Sequence, residues 1–409
     1  MKVPLEGPPI RYLASSPYGD IVIDDAKKKI PLILTRSDAA GISCKAEQRT
    51  EPALTYGHYL CLVQQFIARD AYQLLLRAIN DRRKKTTPLK LNNIDEIVIR
   101  SEKHGCLYHV ARIEVRVQET LIRFVVNVTF SLRGKDCMNR EFSVLQQLHK
   151  KYPSFLPHVY FKGEEKSQVE QSREVSALMF LGEWFTGYHE FHLSMDPVDS
   201  KQKVVIWNFD HGYQSVSDRE GRTIYQQAAK MLTLCYDINT FRQVFPWHHS
   251  AGDFIVKLDP DNGHVDVKLI TIRGYNPLVA LSTDVPNNKL AALIHFLSVL
   301  SIRMRLDRLD GTGDIAWADD IYVNGVIEGF LDALKIKERA GEYNLGKVEE
   351  LIHIMQCLTK DEWKNILTES LDIYDENDPD FPVILHHLNN HAAKLYSTVQ
   401  ALRANTEEN

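Results

Sequence analysis

The sequence lacks the marks of several large protein classes. None of its six cysteines (Cys44, Cys61, Cys106, Cys137, Cys235, Cys357) stands in a CxxC pair. Disulfide scaffolds and zinc ribbons need clustered thiols, so a reduced intracellular chain is expected. No apolar run approaches the ~18–20 residues that span a bilayer. The segment 1–20 has no continuous apolar stretch of the kind a secretory signal needs. Positive charge is not in excess: 49 Lys and Arg against 54 Asp and Glu leave a net charge of −5, which argues against a general nucleic-acid binder. Neither GxSxG nor GxxxxGK[ST] occurs, so nothing points to a serine hydrolase or a P-loop NTPase. The expectation is a cytoplasmic protein whose partner is a small molecule or another protein, with no nucleic-acid or membrane partner.

What remains is ordinary globular usage: 44% apolar and 25% charged residues in a chain of 409, enough for two or three structural units. Residues 1–57 mix Pro, Gly and charge with short apolar pieces (Ile21-Val22-Ile23, Ile33-Leu34) and read as an extension with little regular structure. Tyr59, Val63, Phe66, Ile67 and Leu74 recur at helical spacing and predict one helix over 58–81. It ends in Arg82-Arg83-Lys84-Lys85, a solvated helix end before it is an anion patch. From 94 to 130 the period becomes two. Ala111, Ile113, Val115 and Val117 alternate with Arg112, Glu114 and Arg116, the middle strand of a three-stranded meander. Asp136 is the expected cap of a helix over 137–150. Strands at 159–163 and 175–181 follow, joined by a polar loop, Glu164–Glu174. Beyond Gly182 the pattern turns helical, with helices predicted at 219–242, 288–306, 318–338, 345–370 and 380–403. Strands at 254–258 and 265–272 stand among them.

This order of three strands, a helix, two strands, a linker and a helical region with an embedded hairpin resembles the protein-kinase-like fold. The nearest branch is that of the aminoglycoside and choline phosphotransferases, and the likeness covers roughly residues 91–340. The implied fold is α+β and bilobal, with an antiparallel five-stranded N-lobe and a mostly helical C-lobe. The implied division is an N-terminal extension over 1–90, an N-lobe over 91–183 and a C-lobe over 184–409, whose catalytic-loop-like hairpin is 247–275. Glu141 matches the helix glutamate that holds the phosphate-binding lysine. Glu183-Trp184-Phe185 matches the hinge that meets the adenine ring. Gly252-Asp253 resembles the end of the HGD loop, whose aspartate is the base of phosphoryl transfer. The implied cofactor is ATP with Mg²⁺. The segment Trp317–Leu334, with Gly325 and Gly329, resembles a late helix of that branch.

The departures fall on the chemistry. Asn127 stands nearest the place of the lysine and carries no charge. No GxGxxG lies between the first two strands. Ala251 precedes Asp253 by two, so the motif histidine is missing or displaced to His249. Leu258 takes the place of the metal-binding asparagine, and Thr271 that of the second metal carboxylate. Phosphoryl transfer rests on positioning and charge neutralisation, so these losses remove most of the machinery. Arg273, just after Thr271, can pair with Asp253 or Glu141 in place of a metal, or bind a phosphate or carboxylate.

Other clusters carry less. His248-His249 has no zinc spacing, and His189-Glu190-Phe191-His192 lacks the i,i+4 histidines of HExxH. The acidic 310–320 loop lacks EF-hand spacing. Three readings remain. The first is a kinase-like protein with degenerate motifs, a pseudokinase-type ligand-binding or interaction module. The second is a diverged nucleotide-dependent phosphotransferase with Asp253 as base and Asp259, Asp266 or His249 as substitute metal ligands. The third is a metal-dependent enzyme centred on His248, His249 and Asp253.

Overall fold

A computed structural model describes residues 7–16, 18–32, 54–84, 87–105, 107–170, 173–208, 212–259, 261–281 and 286–402. Cys44, Cys106, Ile33-Leu34 and Lys85, all considered above, lie outside these residues. The chain divides into two compact units, one ending at Thr186 and one running from Gly187 and taking in Ser154–Leu156.

The first unit is built on a mixed seven-stranded sheet. Strands β1 (Ile10–Ala14) and β2 (Ile21–Val22) come from the segment expected to be irregular. The helices α1 (Tyr56–Ala68) and α2 (Gln73–Arg83) follow. Next come β3 (Glu96–His104), β4 (His109–Val117), β5 (Thr120–Thr129), α3 (Leu132–Lys151), β6 (Val159–Glu170) and β7 (Arg173–Glu183). The sheet order is β2-β1-β3-β4-β5-β7-β6. The five strands expected from residue 91 onward all lie in it. The sheet extends past them because β1 pairs in parallel with β3, Ile10 opposite Ile97 through Ala14 opposite Ser101. The two-residue period explains the meander: Ile99, Ile113 and Phe124 sit opposite one another and are fully buried. Phe66, Ile67, Leu75 and Ile79 of α1 and α2 complete that core.

Three local expectations change. The single helix over 58–81 is two, because Asp70, Ala71 and Tyr72 hold φ of 52°, 53° and 65°, a left-handed run that no α-helix continues through. The cap of α3 is Ser131, whose hydroxyl accepts from Gly134 N, so the helix starts before Asp136. The polar segment from Glu164 is strand, not loop. There β6 and β7 pair from Val159 to Glu170, and Lys166–Glu174 bridges the strands at 2.7 Å. Edge strands tolerate such charge because one side meets water.

The second unit opens with a three-stranded antiparallel sheet that the sequence reading missed: β8 (Phe191–Met195), β9 (Gln202–Asn208) and β10 (Gly212–Ser215), in the order β10-β9-β8. Helix α4 (Asp218–Cys235) begins at a capping box of Ser217 and Glu220. Strand β11 (Arg242–Val244), the hairpin β12 (Phe254–Leu258) and β13 (Val265–Leu269), and β14 (Tyr275–Pro277) follow. Then come α5 (Pro286–Arg303), β15 (Leu306–Arg308), β16 (Ile315–Trp317) and α6 (Ile321–Arg339). The expected 345–370 helix is split into α7 (Val348–Cys357) and α8 (Lys360–Glu369) by a new cap at Thr359, and α9 (Asp380–Gln400) ends the unit. Helices α4 and α6 touch backbone to backbone. A Cβ at Gly329 would lie 2.0 Å from the Gln226 carbonyl, and one at Gly325 2.6 Å from that of Arg222. Among the described residues, no helix is long and apolar enough to cross a membrane.

Candidate functional site

The loop between β11 and β12 is cross-linked by buried polar side chains. His249–Ala251 form one 3-10 turn, which Gly252 ends at a φ of +69°. Any side chain there would also meet the Glu190 carboxylate, 2.5 Å from a Cβ. Asp253, 1% exposed, follows directly. Its Oδ2 accepts the His248 backbone N–H at 2.9 Å and the Arg273 guanidinium at 2.6 Å. Arg273 therefore meets Asp253, the first of the partners the sequence offered it. One oxygen fixes the loop and its charge is met by a cation from the strand-end segment.

His248 is held just as closely. Its Nδ1 accepts from Ser250 N at 3.1 Å and lies 2.6 Å from Ser250 Oγ. A backbone N–H can only donate, so Nδ1 is the acceptor and a ring proton belongs on Nε2. That nitrogen faces Asp380 Oδ2 at 3.5 Å. Burial alone would raise the Asp380 carboxyl, but His248 and Arg303 outweigh it and the pKa is lowered. Arg303 donates to the Trp247 carbonyl at 2.6 Å and lies 3.8 Å from Asp380. The order Asp380–His248–Ser250 resembles a nucleophile triad, but the turn consumes its own donors: Ala251 N bonds the His248 carbonyl and Gly252 N that of His249. These donors are spent within the turn rather than held for an oxyanion, which acyl transfer requires. The arrangement is a strut.

His249, also 1% exposed, sits among the rings of Phe191, Tyr225, Trp247 and Phe254 at 5.2–5.7 Å. Among the described residues its nitrogens have no hydrogen-bond partner of ordinary geometry. Burial pushes its pKa down to about 4, although Asp307 and the Met304 backbone favour the proton. His192 shows the opposite balance. Burial lowers it, but Asp307 at 3.4 Å and Glu190 at 3.6 Å outweigh that and raise it to about 9.

Of the remaining expected residues, Thr271 is half-buried beside Ile272, two positions before Arg273. Asp266 is taken up by Lys268 at 2.8 Å and by the Tyr188 hydroxyl at 2.6 Å. Asp259 closes its own turn, accepting from Asp261 N and Asn262 Nδ2. These two carboxylates line an open groove of about 460 Å³ with Tyr188, Lys257 and His264. Among the described residues, no group of three or more His, Cys, Asp or Glu side chains is disposed to hold a metal ion.

The other expected residues lie in the first unit. Asn127 is half-buried on β5, opposite Phe180 and Val110. Glu141 on α3 is 1% exposed. It lies beside Tyr108, whose phenol is driven far up by burial and then by the nearby Glu141 charge. Glu183 pairs with Arg82 and accepts from His158 N at 3.2 Å. Arg82 also takes the Trp184 carbonyl at 3.1 Å, the Trp184 ring lies 5.0 Å from Arg112, and Phe185 is half-buried. So the first basic residue of the helix end is a structural partner.

Sequence reasoning missed Arg303, Asp307, Asp380 and Tyr108, and it gave Arg82 only a place on a solvated helix end. One signal was available: Arg303 and Arg305 interrupt an otherwise apolar run, and a cation there must find buried partners. No protein-family model matches the chain, and no curated protein is measurably similar to it.

Proposed function

We propose that the protein is a bilobal kinase-like module that has given up phosphoryl transfer and acts by binding a ligand or partner. The order of elements supports the kinase-like reading: a meander, a helix and a hairpin come first, and a helical unit with its own hairpin follows. The observation that carries the loss of transfer is the ion pair between Asp253 and Arg273 at 2.6 Å. A general base must be free to take a proton from its substrate. Here the candidate base is buried, bonded to its own loop and matched by a fixed cation. Arg273 lies two residues past Thr271, so a guanidinium stands close to where the family resemblance places a metal carboxylate.

One observation favours the diverged transferase. Among the described residues Asp253 Oδ1 has no hydrogen-bond partner, and it is the atom a substrate hydroxyl or metal would need. The two readings separate in a transfer assay with labelled ATP, Mg²⁺ and a panel of hydroxyl acceptors, run beside Asp253→Asn. The proposed module gives no turnover that Asp253→Asn abolishes. Turnover that depends on Asp253 would establish the transferase.

A further inference from the structure

The first unit holds a pair of imidazoles that the kinase-like reading does not use. His104 and His109 face each other across the closing end of the β3–β4 hairpin, as directly opposed residues. Their Nδ1 atoms are 2.9 Å apart. His109 is 4% exposed and His104 is half-buried. Rings of Tyr56, Tyr59 and Phe130 wall the pair at 5.4–6.2 Å. The far nitrogen of His104, Nε2, lies 2.8 Å from Ser101 Oγ.

From this geometry we propose that His104 and His109 form a bis-imidazole site for a divalent transition metal, with Zn²⁺ as the best fit. Two features carry it. First, two like nitrogens face each other at 2.9 Å from directly opposed residues at the end of the hairpin. A tetrahedral Zn²⁺ with Zn–N near 2.0–2.1 Å sets its ligand nitrogens about 3.3 Å apart, so the pair needs to open by only ~0.4 Å. Second, the His104–Ser101 contact is the outer hydrogen bond that fixes the ring and tautomer of metal-bound histidines. Burial, which lowers both rings, is in keeping with the neutral form a metal ligand takes. Zinc takes four ligands, and among the described residues this pair supplies two of them. Without metal the two nitrogens share one proton, which the metal displaces.

The test uses the full chain. Zn²⁺ alone is titrated by calorimetry, and Co²⁺ is added as an optical probe. The proposal expects one metal per chain, visible Co²⁺ bands of low-coordinate type, and at least a tenfold loss of affinity in His104→Gln and in His109→Gln. As a readout that needs no variant, ¹⁵N shifts of the His104 and His109 Nδ1 atoms should move together on adding Zn²⁺. No binding at 100 µM Zn²⁺, or binding that leaves these shifts in place, would overturn the proposal and leave the pair a proton-sharing contact. Binding that survives both histidine variants but is lost in Cys106→Ser would assign the metal to a thiolate and overturn it equally.

Discussion

His192 and His109 are both almost completely buried, at 1% and 4% exposure, yet the first is raised to about 9 and the second lowered to about 3. Burial disfavours the charged ring in both. The difference is the company. In the second unit His192 stands between Asp307 and Glu190, as Asp253 stands against Arg273 and Asp380 against His248 and Arg303. In the first unit His109 faces another imidazole and the rings of Tyr59 and Phe130. At His192 and Asp253 the second unit sets a buried group against opposite charge, whereas its His249, walled by rings, is lowered as His109 is. The hairpin of the first unit keeps two neutral donors facing each other. A loop tied the first way has less freedom to do chemistry, and a pair of facing neutral imidazoles is the arrangement on which the proposed metal site rests.

The largest expected effect comes from breaking a charge pair. Arg273→Met leaves the Asp253 carboxylate buried without its cation. Uncompensated buried charges of this kind cost about 3–5 kcal/mol, measurable as a lower urea midpoint with unchanged slope. The double variant Asp253→Asn with Arg273→Met keeps an acceptor for His248 N and should recover most of that loss. A deficit in the double variant as large as in the single would show that the loop does not depend on the pairing.

The next effect sharpens the contrast between the histidines. The raised pKa of His192 means that its contribution is fully present below its unfolded value near 6.5 and is lost as pH rises through about 9. The span corresponds to about 3 kcal/mol at ~1.4 kcal/mol per unit. Asp307→Asn should flatten the stability profile between pH 6.5 and 9 and bring the His192 titration below 7 by NMR. The hairpin pair carries the opposite sign. Because His104 and His109 are lowered, their contribution is present above pH 6.5 and lost as pH falls toward 4. His104→Gln should make the acid limb shallower by about 1.4 kcal/mol per pH unit, while leaving the alkaline limb unchanged. The smallest effect is a control outside both regions. Ser217→Ala removes the α4 cap and should cost about 1 kcal/mol with no change in pH dependence.

Much of the architecture was legible because it rests on local periodicity. The alternation at 111–117 gave the meander, and the stripes of α3, α4 and α6 gave those helices. What was not legible depends on partners distant in sequence. Ile10–Ala14 shows no strand period strong enough to stand alone and becomes a strand by pairing with β3. Lys203–Trp207 is a short apolar run that reads as strand only beside β8. At the candidate site, the Gly252-Asp253 turn and the option of an Arg273 partner were visible in the residues. Asp380 was not, because it lies 127 positions beyond Asp253 and opens a helix for which an acidic first turn is ordinary. The His104–His109 pair has no recognised metal spacing, since hairpin closure rather than helical spacing brings the rings together.

The central claim is that Asp253 is held by Arg273 and no longer serves nucleotide chemistry. Thermal shift of the full chain with millimolar ATP, with and without Mg²⁺, tests it most directly. A ligand at a hundredfold excess over its Kd stabilises the folded state by about 2.7 kcal/mol, so a working Mg²⁺–ATP site is easily seen. The account predicts no Mg²⁺-dependent increment. A clear Mg²⁺-dependent rise in Tm that Asp253→Asn removes would contradict it.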